Sequence, residues 1–299
     1  MKIRRLLGGA GLAVVVLAAP CHAAETKSIV VAGQQRTYVL SRPSASGPRP
    51  TVVMLHGTGT NAADFSQTVR LTEIAQRQGF VVVYPETLSE RWWNAFPAGY
   101  IPEARTEGER LHFGTSDDVG FVKALVAHLI EQGISDPRRI YLGGSSFGGL
   151  MAMRIACTAP EMFAAVGVIF ASMPDATGQD CRPAKPLPLV VMNGTADPVL
   201  PYAGGPTVVG FSVWSTDRTL AFFRKLDGCS DQAERSELPH RGGGLTHVVV
   251  ERWTQCARGP VVLYQIVDGG HRVRGSLNND FVAFEALWEF FRNQTSDGR

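Results

Sequence analysis

Short, continuously apolar segments alternate with amphipathic segments along most of the chain. The apolar segments predict buried strands at residues 51–55, 80–84, 139–142, 164–170 and 187–192, with further strands at 245–253 and 260–267. The amphipathic segments predict helices at residues 61–78, 117–132, 148–158, 215–226 and 279–293. Strands that are apolar throughout are typical of a mainly parallel sheet whose two faces are both covered by helices, so we expect an α/β fold.

Two further segments complete this pattern. Residues 28–31 and 36–40 alternate between apolar and polar positions around Gly33-Gln34, which predicts an opening hairpin. Residues 85–115 predict no regular element. A connection of this length in a compact domain is usually functional.

The first residues predict an export signal and not part of the fold. A basic start at residues 1–5 precedes an apolar run at 6–19, and small residues follow at a plausible cleavage point near Ala23. We therefore expect residues 1–23 to be a signal peptide, residues 24–299 to form a single catalytic domain, and the product to be secreted or periplasmic. No later segment is long and apolar enough to predict a transmembrane anchor.

Charge and size narrow the range of partners. The 299 residues are 44% hydrophobic, which is typical of a globular chain with a large core. Loss of residues 1–23 removes three of the 29 basic residues and leaves 26 against 27 acidic ones. Such a chain has no basic field to attract nucleic acid. We expect a small or oligomeric substrate, and we also expect the protein to be a monomer.

Four cysteines remain after the predicted signal peptide, namely Cys157, Cys181, Cys229 and Cys256. None belongs to a C-x-x-C pair, so the spacing does not favour a zinc site. In an oxidising compartment four cysteines predict two disulfides with three possible connectivities, of which we expect the local pairs Cys157–Cys181 and Cys229–Cys256.

The most informative motif is Gly144-Ser145-Ser146-Phe147-Gly148, a G-x-S-x-G pattern between a predicted strand and a predicted helix. A sharp strand-to-helix turn of this kind exposes the central serine as a nucleophile. The alternative is an ordinary turn whose serine caps the helix. A serine hydroxyl also needs a base, and the base needs a carboxylate to orient it.

Two downstream residues fit these roles in the order that this turn requires. Asp197 follows the strand at 187–192, and His271 follows the strand at 260–267. We therefore predict Ser146, Asp197 and His271 as catalytic residues. Taken singly, Asp197 is also typical of a turn and His271 of a surface loop, and Asp268 is a competing acid close to His271 in sequence.

The oxyanion of such a reaction needs backbone donors, for which we predict the amides of Phe147 and Thr58. The loop around Thr58 has a rival interpretation, because residues 57–62 also match G-x-G-x-x-A and Glu86 ends the next strand as a ribose acid would. That alternative is a dinucleotide enzyme. Our preferred interpretation requires no cofactor and no metal.

Four other positions carry alternatives. Asp117 and Asp118 are typical of charges at a helix N-terminus, and the other possibility is a metal pair. Trp92 and Trp93 are predicted either to line a substrate groove or to pack in the core.

In combination these segments resemble the secreted polyhydroxybutyrate depolymerase and feruloyl esterase-like group of α/β-hydrolases. The resemblance runs from residue 28 to residue 291 and rests on His56-Gly57, Asn61-Ala62-Ala63-Asp64-Phe65, Arg91-Trp92-Trp93-Asn94, Asp117-Asp118-Val119-Gly120-Phe121 and Gly194-Thr195-Ala196-Asp197-Pro198.

The resemblance implies the α/β-hydrolase fold and a carboxylic-ester hydrolase with a Ser-Asp-His triad. Its expected substrates are hydroxyalkanoate oligomers or phenolic and acetyl esters. It also supports the two local disulfides. The chain departs from the group where Arg272 and Arg274 follow the histidine and where Phe147 follows the serine. A noncatalytic binding protein on the same fold is the other hypothesis.

Overall fold

The computed structural model describes residues 24–44, 46–88, 93–97, 100, 116–239, 246–272 and 282–296. Its strands are β1 (Glu25–Val31), β2 (Gln34–Ser41), β3 (Arg49–Leu55), β4 (Val81–Pro85), β5 (Ser135–Ser145), β6 (Ala165–Ile169), β7 (Leu189–Gly194), β8 (Gly205–Pro206), β9 (Ser212–Val213), β10 (Glu234–Glu237), β11 (His247–Trp253) and β12 (Val261–Val267). Its helices are α1 (Ala62–Thr68), α2 (Leu71–Gln78), α3 (Asp118–Glu131), α4 (Phe147–Thr158), α5 (Asp175–Asp180), α6 (Thr216–Leu226) and α7 (Ala283–Phe291).

Ten strands form one sheet in the order β1-β2-β4-β3-β5-β6-β7-β12-β11-β10. The six central strands, from β4 to β12, run parallel to one another. The outer pairs at both edges are antiparallel, and they include the predicted opening hairpin of β1 and β2. The predicted mainly parallel sheet is therefore confirmed. All six central strands direct their carboxyl ends to one edge of the sheet.

Helices cover both faces of this sheet, as predicted. Along β3, Val53 and Leu55 belong to one core cluster and Val52 and Met54 belong to the other. The first cluster is completed by α3, α4 and α6, and the second by α1, α2 and α7. Because successive side chains of a strand point to opposite faces, a strand buried on both sides is apolar at every position.

The predicted helix at 61–78 is two helices, α1 and α2, separated at Val69 and Arg70. Phe65 and Ile74 are both buried against the same core cluster. Nine positions apart on one straight helix, these side chains would point in opposite directions. The break turns both of them toward the sheet. The prediction also missed the short elements α5, β8, β9 and β10.

Two disulfides cross-link the loops beside the sheet. One joins Cys157, at the end of α4, to Cys181, which follows α5, and the other joins Cys229 to Cys256. The expected local pairings are thus confirmed. Within the described ranges, no helix has the length and apolar character needed to cross a membrane. The predicted signal peptide lies outside the described residues, and the single catalytic domain over 24–299 stays a prediction.

Candidate active site

Ser146 occupies a strained turn between β5 and α4. Its backbone has φ 54° and ψ −122°, which is a region that residues with a side chain rarely adopt. Glycine is required around it, because a Cβ on Gly144 would overlap the carbonyl of Gly148. A Cβ on Gly148 would overlap the carbonyls of Leu55 and His56. The Ser146 side chain makes no capping hydrogen bond to α4, so the helix-capping interpretation is wrong.

The structure brings together the three side chains that the sequence predicts as a triad. Ser146 Oγ lies 2.8 Å from His271 Nε2, and His271 Nδ1 lies 2.6 Å from Asp197 Oδ2. The Asp197 side chain is 2% exposed and the His271 side chain is 17% exposed. The hydroxyl, imidazole and carboxylate therefore form one continuous hydrogen-bonded chain that reaches the surface at the imidazole.

Hydrogen bonds between two loops hold Asp197 in position against His271. Asp197 follows β7 and His271 follows β12, and these strands are adjacent and parallel in the sheet. The Ala196 amide donates to the Gly269 carbonyl at 2.9 Å, and the Asp268 amide donates to Thr195 Oγ1 at 2.8 Å. Two residues 74 positions apart are thereby held within hydrogen-bond distance.

The Asp197 carboxylate has separate partners for its two oxygens. Oδ1 accepts hydrogen bonds from the amides of Val199 at 2.8 Å and Leu200 at 3.0 Å, which leaves Oδ2 for His271. Asp268, the competing acid, is exposed and is held through its backbone amide by Thr195. The carboxylate that orients the imidazole is therefore Asp197.

The two predicted oxyanion donors belong to the segments that flank Ser146. Phe147 is the first residue of α4. Thr58 is exposed and follows Gly57, whose missing Cβ would lie 3.0 Å from Ser146 Cβ and 3.6 Å from Ser146 Oγ. A side chain at Gly57 would obstruct the serine. The roles of the Thr58 and Phe147 amides stay predictions.

Behind this loop lies a fully buried histidine whose role the sequence analysis missed. His56 Nδ1 lies 2.9 Å from the Gly57 carbonyl, and His56 Nε2 lies 3.0 Å from Glu86 Oε1. Burial by itself raises the pKa of the Glu86 carboxyl, but hydrogen bonds from His56, Ala62 and Thr87 outweigh it and bring the pKa below its ordinary value. The position of Glu86 at the carboxyl end of a buried strand was a signal that could have indicated a role at the site.

The same carboxylate argues against the dinucleotide alternative. Glu86 Oε2 accepts the amide of Ala62 at 2.8 Å, and Ala62 is the first residue of α1. Asn61 caps the same helix end by accepting the amide of Asp64. A dinucleotide would place its pyrophosphate on these amides. Because protein side chains already satisfy them, Glu86 serves the loop at His56 and not a ribose.

The predicted substrate contact of Trp93 needs correction. Trp93 is completely buried, and its indole Nε1 donates to the carbonyl of His56 at 2.9 Å. Its ring centroid lies 5.2 Å from that of His56. Trp93 therefore packs in the core, as the second interpretation predicted. It supports the loop at His56 from within, because its one polar atom finds a partner inside the protein. Trp92 lies outside the described residues.

The two acidic residues at the start of α3, Asp117 and Asp118, have partners within the protein. Asp117 caps the helix by accepting the amide of Gly120 at 2.8 Å. Asp118 is fully buried and pairs with Arg36 at 2.7 Å, and it also accepts the amide of Asn94 at 2.8 Å. These partners account for both carboxylates without a metal ion. The interpretation as helix-terminal charges holds for both residues, because Asp117 is the N-cap and Asp118 lies in the first turn of α3, where it also forms an internal ion pair with Arg36.

Aromatic rings lie against His271 and at the residue that follows Ser146, and the sequence analysis missed most of them. Phe170, at the carboxyl end of β6, lies 5.6 Å from the His271 ring between centroids and has a positive φ of 52°. Phe147 lies 6.1 Å from Phe96 and 5.8 Å from Phe211. Phe170 thus packs on one side of the His271 ring, and Phe147 belongs to an aromatic cluster with Phe96 and Phe211.

Comparison with known proteins agrees with this geometry. A family model described as esterase PHB depolymerase matches residues 36–211. The chain is 28% identical over 260 residues to NocK of Nocardia uniformis subsp. tsuyamanensis, which is named as an esterase, and the match covers 82% of this chain and 72% of that protein. It is 29% identical over 174 residues to feruloyl esterase B of Thermothelomyces thermophilus, covering 56% of this chain and 54% of that protein.

The feruloyl esterase B of Piromyces equi is 25% identical over 175 residues, covering 56% of this chain and 31% of that protein. The chain thus spans roughly a third to a half of the feruloyl esterases it matches here. Among solved structures, an acetyl xylan esterase from Aspergillus awamori aligns with a TM-score of 0.61 at 13% identity, covering 89% of this chain and 98% of that one. This likeness confirms the predicted α/β-hydrolase fold.

Proposed function

The chain belongs to the esterase PHB depolymerase family and is a carboxylic-ester hydrolase, and we propose that it works through an acyl-enzyme formed on Ser146. The observation that carries this proposal is the unbroken contact from Ser146 Oγ to His271 Nε2 at 2.8 Å and from His271 Nδ1 to Asp197 Oδ2 at 2.6 Å.

In the first half of the reaction, His271 Nε2 removes the hydroxyl proton while Ser146 Oγ attacks the ester carbonyl. Asp197 holds the proton on Nδ1, so that Nε2 stays free to accept. The oxyanion then receives hydrogen bonds from the Thr58 and Phe147 amides. As the tetrahedral intermediate collapses, His271 gives its proton to the departing alcohol.

In the second half, water takes the place of the alcohol. His271 accepts a proton from the water, whose oxygen attacks the acyl carbonyl. The proton then passes to Ser146 Oγ as the ester bond to the enzyme breaks. The residues supply the base, the orienting acid and the oxyanion donors, and the carboxylic acid product leaves a regenerated serine.

For the substrate, we propose hydroxyalkanoate oligomers or phenolic and acetyl esters. The family description and the relatives named feruloyl esterase support this class. Parallel measurement of kcat/KM on 3-hydroxybutyrate oligomers, methyl ferulate and acetylated xylan separates the members of the class. Failure on all three would contradict the substrate proposal, even if short synthetic esters are cleaved.

For the location, we propose export with loss of residues 1–23. Two disulfides support an oxidising compartment, because thiols stay reduced in a typical cytosol. The intact mass of the protein recovered outside the cytoplasm tests this proposal. A mass that retains residues 1–23 would contradict it.

The test of the mechanism compares two neighbouring serines. Ser146→Ala should abolish both the burst of p-nitrophenol from p-nitrophenyl acetate and labelling by a fluorophosphonate. Ser145→Ala is the matched control, because Ser145 is buried at the end of β5 and should keep both activities. Peptide mapping should place the label on residue 146. Labelling at another serine, or full hydrolysis by Ser146→Ala, would refute the proposal, and an unlabelled wild-type protein would favour the noncatalytic hypothesis.

A further inference from the structure

His56 is completely buried at the start of the loop that leads to Thr58, and the proposed proton relay does not use it. Both of its ring nitrogens nevertheless have partners. Nδ1 lies 2.9 Å from the Gly57 carbonyl oxygen, and Nε2 lies 3.0 Å from Glu86 Oε1. Its main-chain carbonyl receives the indole N–H of Trp93 at 2.9 Å.

The two contacts of the His56 ring need more protons than a neutral imidazole carries. A carbonyl oxygen can only accept a hydrogen bond, and so can an ionised carboxylate. A neutral imidazole carries one N–H, which can serve Gly57 or Glu86 but not both. With a neutral ring, one contact would bring two acceptors together inside the protein, without water to separate them. The geometry therefore requires one more proton on the His56–Glu86 pair.

The surroundings of Glu86 decide which partner carries that proton. Its Oε1 also accepts the amide of Thr87 at 2.9 Å, and its Oε2 accepts the amide of Ala62 at 2.8 Å. Hydrogen bonds from amides stabilise the ionised form of a carboxyl group. This is consistent with the pKa of Glu86, which burial raises but which the hydrogen bonds from His56, Ala62 and Thr87 and the charge of His56 together bring below its ordinary value. The carboxyl group is thus ionised, and the proton belongs to the imidazole.

We propose that His56 is held in the imidazolium form between the Gly57 carbonyl and the Glu86 carboxylate. In this form it positions the oxyanion loop, Gly57-Thr58, and adds a fixed positive charge behind that loop. The inference rests on the proposed function of that loop. A charge that is already in place when the oxyanion forms needs no reorganisation during the reaction. His56 touches no reacting atom, so it is a positioning residue.

The guanidinium of Arg36 lies beside this pair and has a carboxylate partner of its own. Arg36 Nη2 donates to the Glu86 main-chain carbonyl at 3.2 Å and to Asp118 Oδ1 at 2.7 Å. The carboxylate of Asp118 thus balances the guanidinium of Arg36. Gly57, whose carbonyl contacts the His56 ring, lies directly against Ser146, since a Cβ at Gly57 would be 3.0 Å from Ser146 Cβ.

Glu86→Gln tests the role of the charge with little change in shape. The new amide nitrogen donates to His56 Nε2, so a neutral ring can keep its other proton for Gly57, at the cost of the Thr87 amide contact. We expect kcat for p-nitrophenyl acetate to fall about tenfold with KM little changed, because the charge acts on the transition state from behind the donors. Loss of a direct donor costs about 100- to 1000-fold. Glu285→Gln, at an exposed ion pair with Arg77, is the control and should retain full kcat.

A spectroscopic measurement on the wild-type protein tests the protonation state without any assay of activity. In protein labelled with ¹⁵N in the histidine rings, His56 should show two protonated ring nitrogens at about pH 8, where exposed histidines are neutral. Glu86→Gln should convert this ring alone to one protonated nitrogen. That change also assigns the signal to His56, so the assignment does not require a folded His56→Gln variant.

A single protonated nitrogen on His56 in the wild-type protein would overturn the inference. If Glu86→Gln keeps the wild-type kcat although its His56 ring carries only one proton, the charge makes no contribution to catalysis. Both results are distinct from failure of the proposed function. If the proposed function itself fails, Ser146 will not react with a fluorophosphonate, whatever the protonation state of His56.

Discussion

Replacement of Asp197 by Asn tests the proton relay most directly, because the structure determines how the new amide must lie. Asp197 Oδ1 accepts two backbone amides, from Val199 at 2.8 Å and Leu200 at 3.0 Å. An amide nitrogen cannot accept these bonds, so the Asn oxygen must stay in that place. Its NH₂ group then points at His271 Nδ1. The ring is forced into the tautomer that carries its proton on Nε2, facing Ser146 Oγ.

A base that already carries a proton on Nε2 cannot accept one from the serine. In another serine hydrolase, the equivalent acid-to-amide change lowers kcat about 10⁴-fold. That factor corresponds to about 5.4 kcal/mol of lost transition-state stabilisation. Because the hydrogen bonds around position 197 are kept, the free energy of unfolding should change by only about 1–2 kcal/mol. Activity and stability should therefore separate clearly in this variant.

The assay is stopped-flow release of p-nitrophenol, together with urea unfolding of the same preparation. Asp268→Asn is the matched control, since Asp268 lies three residues before His271, has a positive φ of 57° that Asn tolerates, and is held by its backbone amide. It should keep kcat within about twofold, as surface changes usually do. A kcat for Asp197→Asn within tenfold of wild type, or an equal loss in both variants, would refute the reasoning.

Two further predictions concern stability. Changing Cys157 and Cys181 together to Ser should lower the free energy of unfolding by about 3.5 kcal/mol, since the disulfide closes a loop with a sequence separation of 24. Urea unfolding measures this, and an unchanged midpoint would contradict it. The lowered pKa of Glu86 predicts a stabilising contribution that is fully present above the ordinary value of 4.5 and is lost as the pH falls through the lower folded value. The stability difference between wild type and Glu86→Gln should shrink over that acid range, and a constant difference would argue against the linkage.

The order of the main elements and the contact of Ser146, His271 and Asp197 could be predicted because both follow from local pattern and chemical necessity. The parallel strands were recognisable because each contains a short continuous apolar run, such as Val52–Leu55 in β3 and Leu189–Met192 in β7. Ser146 lay between a predicted strand and a predicted helix, in a glycine-flanked turn. Asp197 and His271 lay just after strands, where the side chains of a parallel sheet converge. In these cases each part of the prediction used residues close to one another in the chain.

Other features depended on contacts between distant segments. A pair of tryptophans in an irregular stretch looks the same in sequence whether it lines a groove or fills the core. Only the folded structure showed that Trp93 is buried and that its indole N–H donates to the His56 carbonyl. Likewise, Asp118 stands beside Asp117 in the chain, yet one is an exposed cap and the other pairs with Arg36, 82 residues away. Neither partner could be chosen from composition or spacing.

By itself, then, the chain's sequence determined the alternation of the main strands and helices and the position of Ser146, Asp197 and His271 just after strands. The tertiary structure alone decided which acceptors face His56, which oxygen of Asp197 is left for the base, and which carboxylate serves which helix. The physical reason is range. Periodicity and turn chemistry act over a few neighbouring residues, whereas hydrogen-bond partners and burial depend on side chains that only the folded sheet brings within about 3 Å of one another.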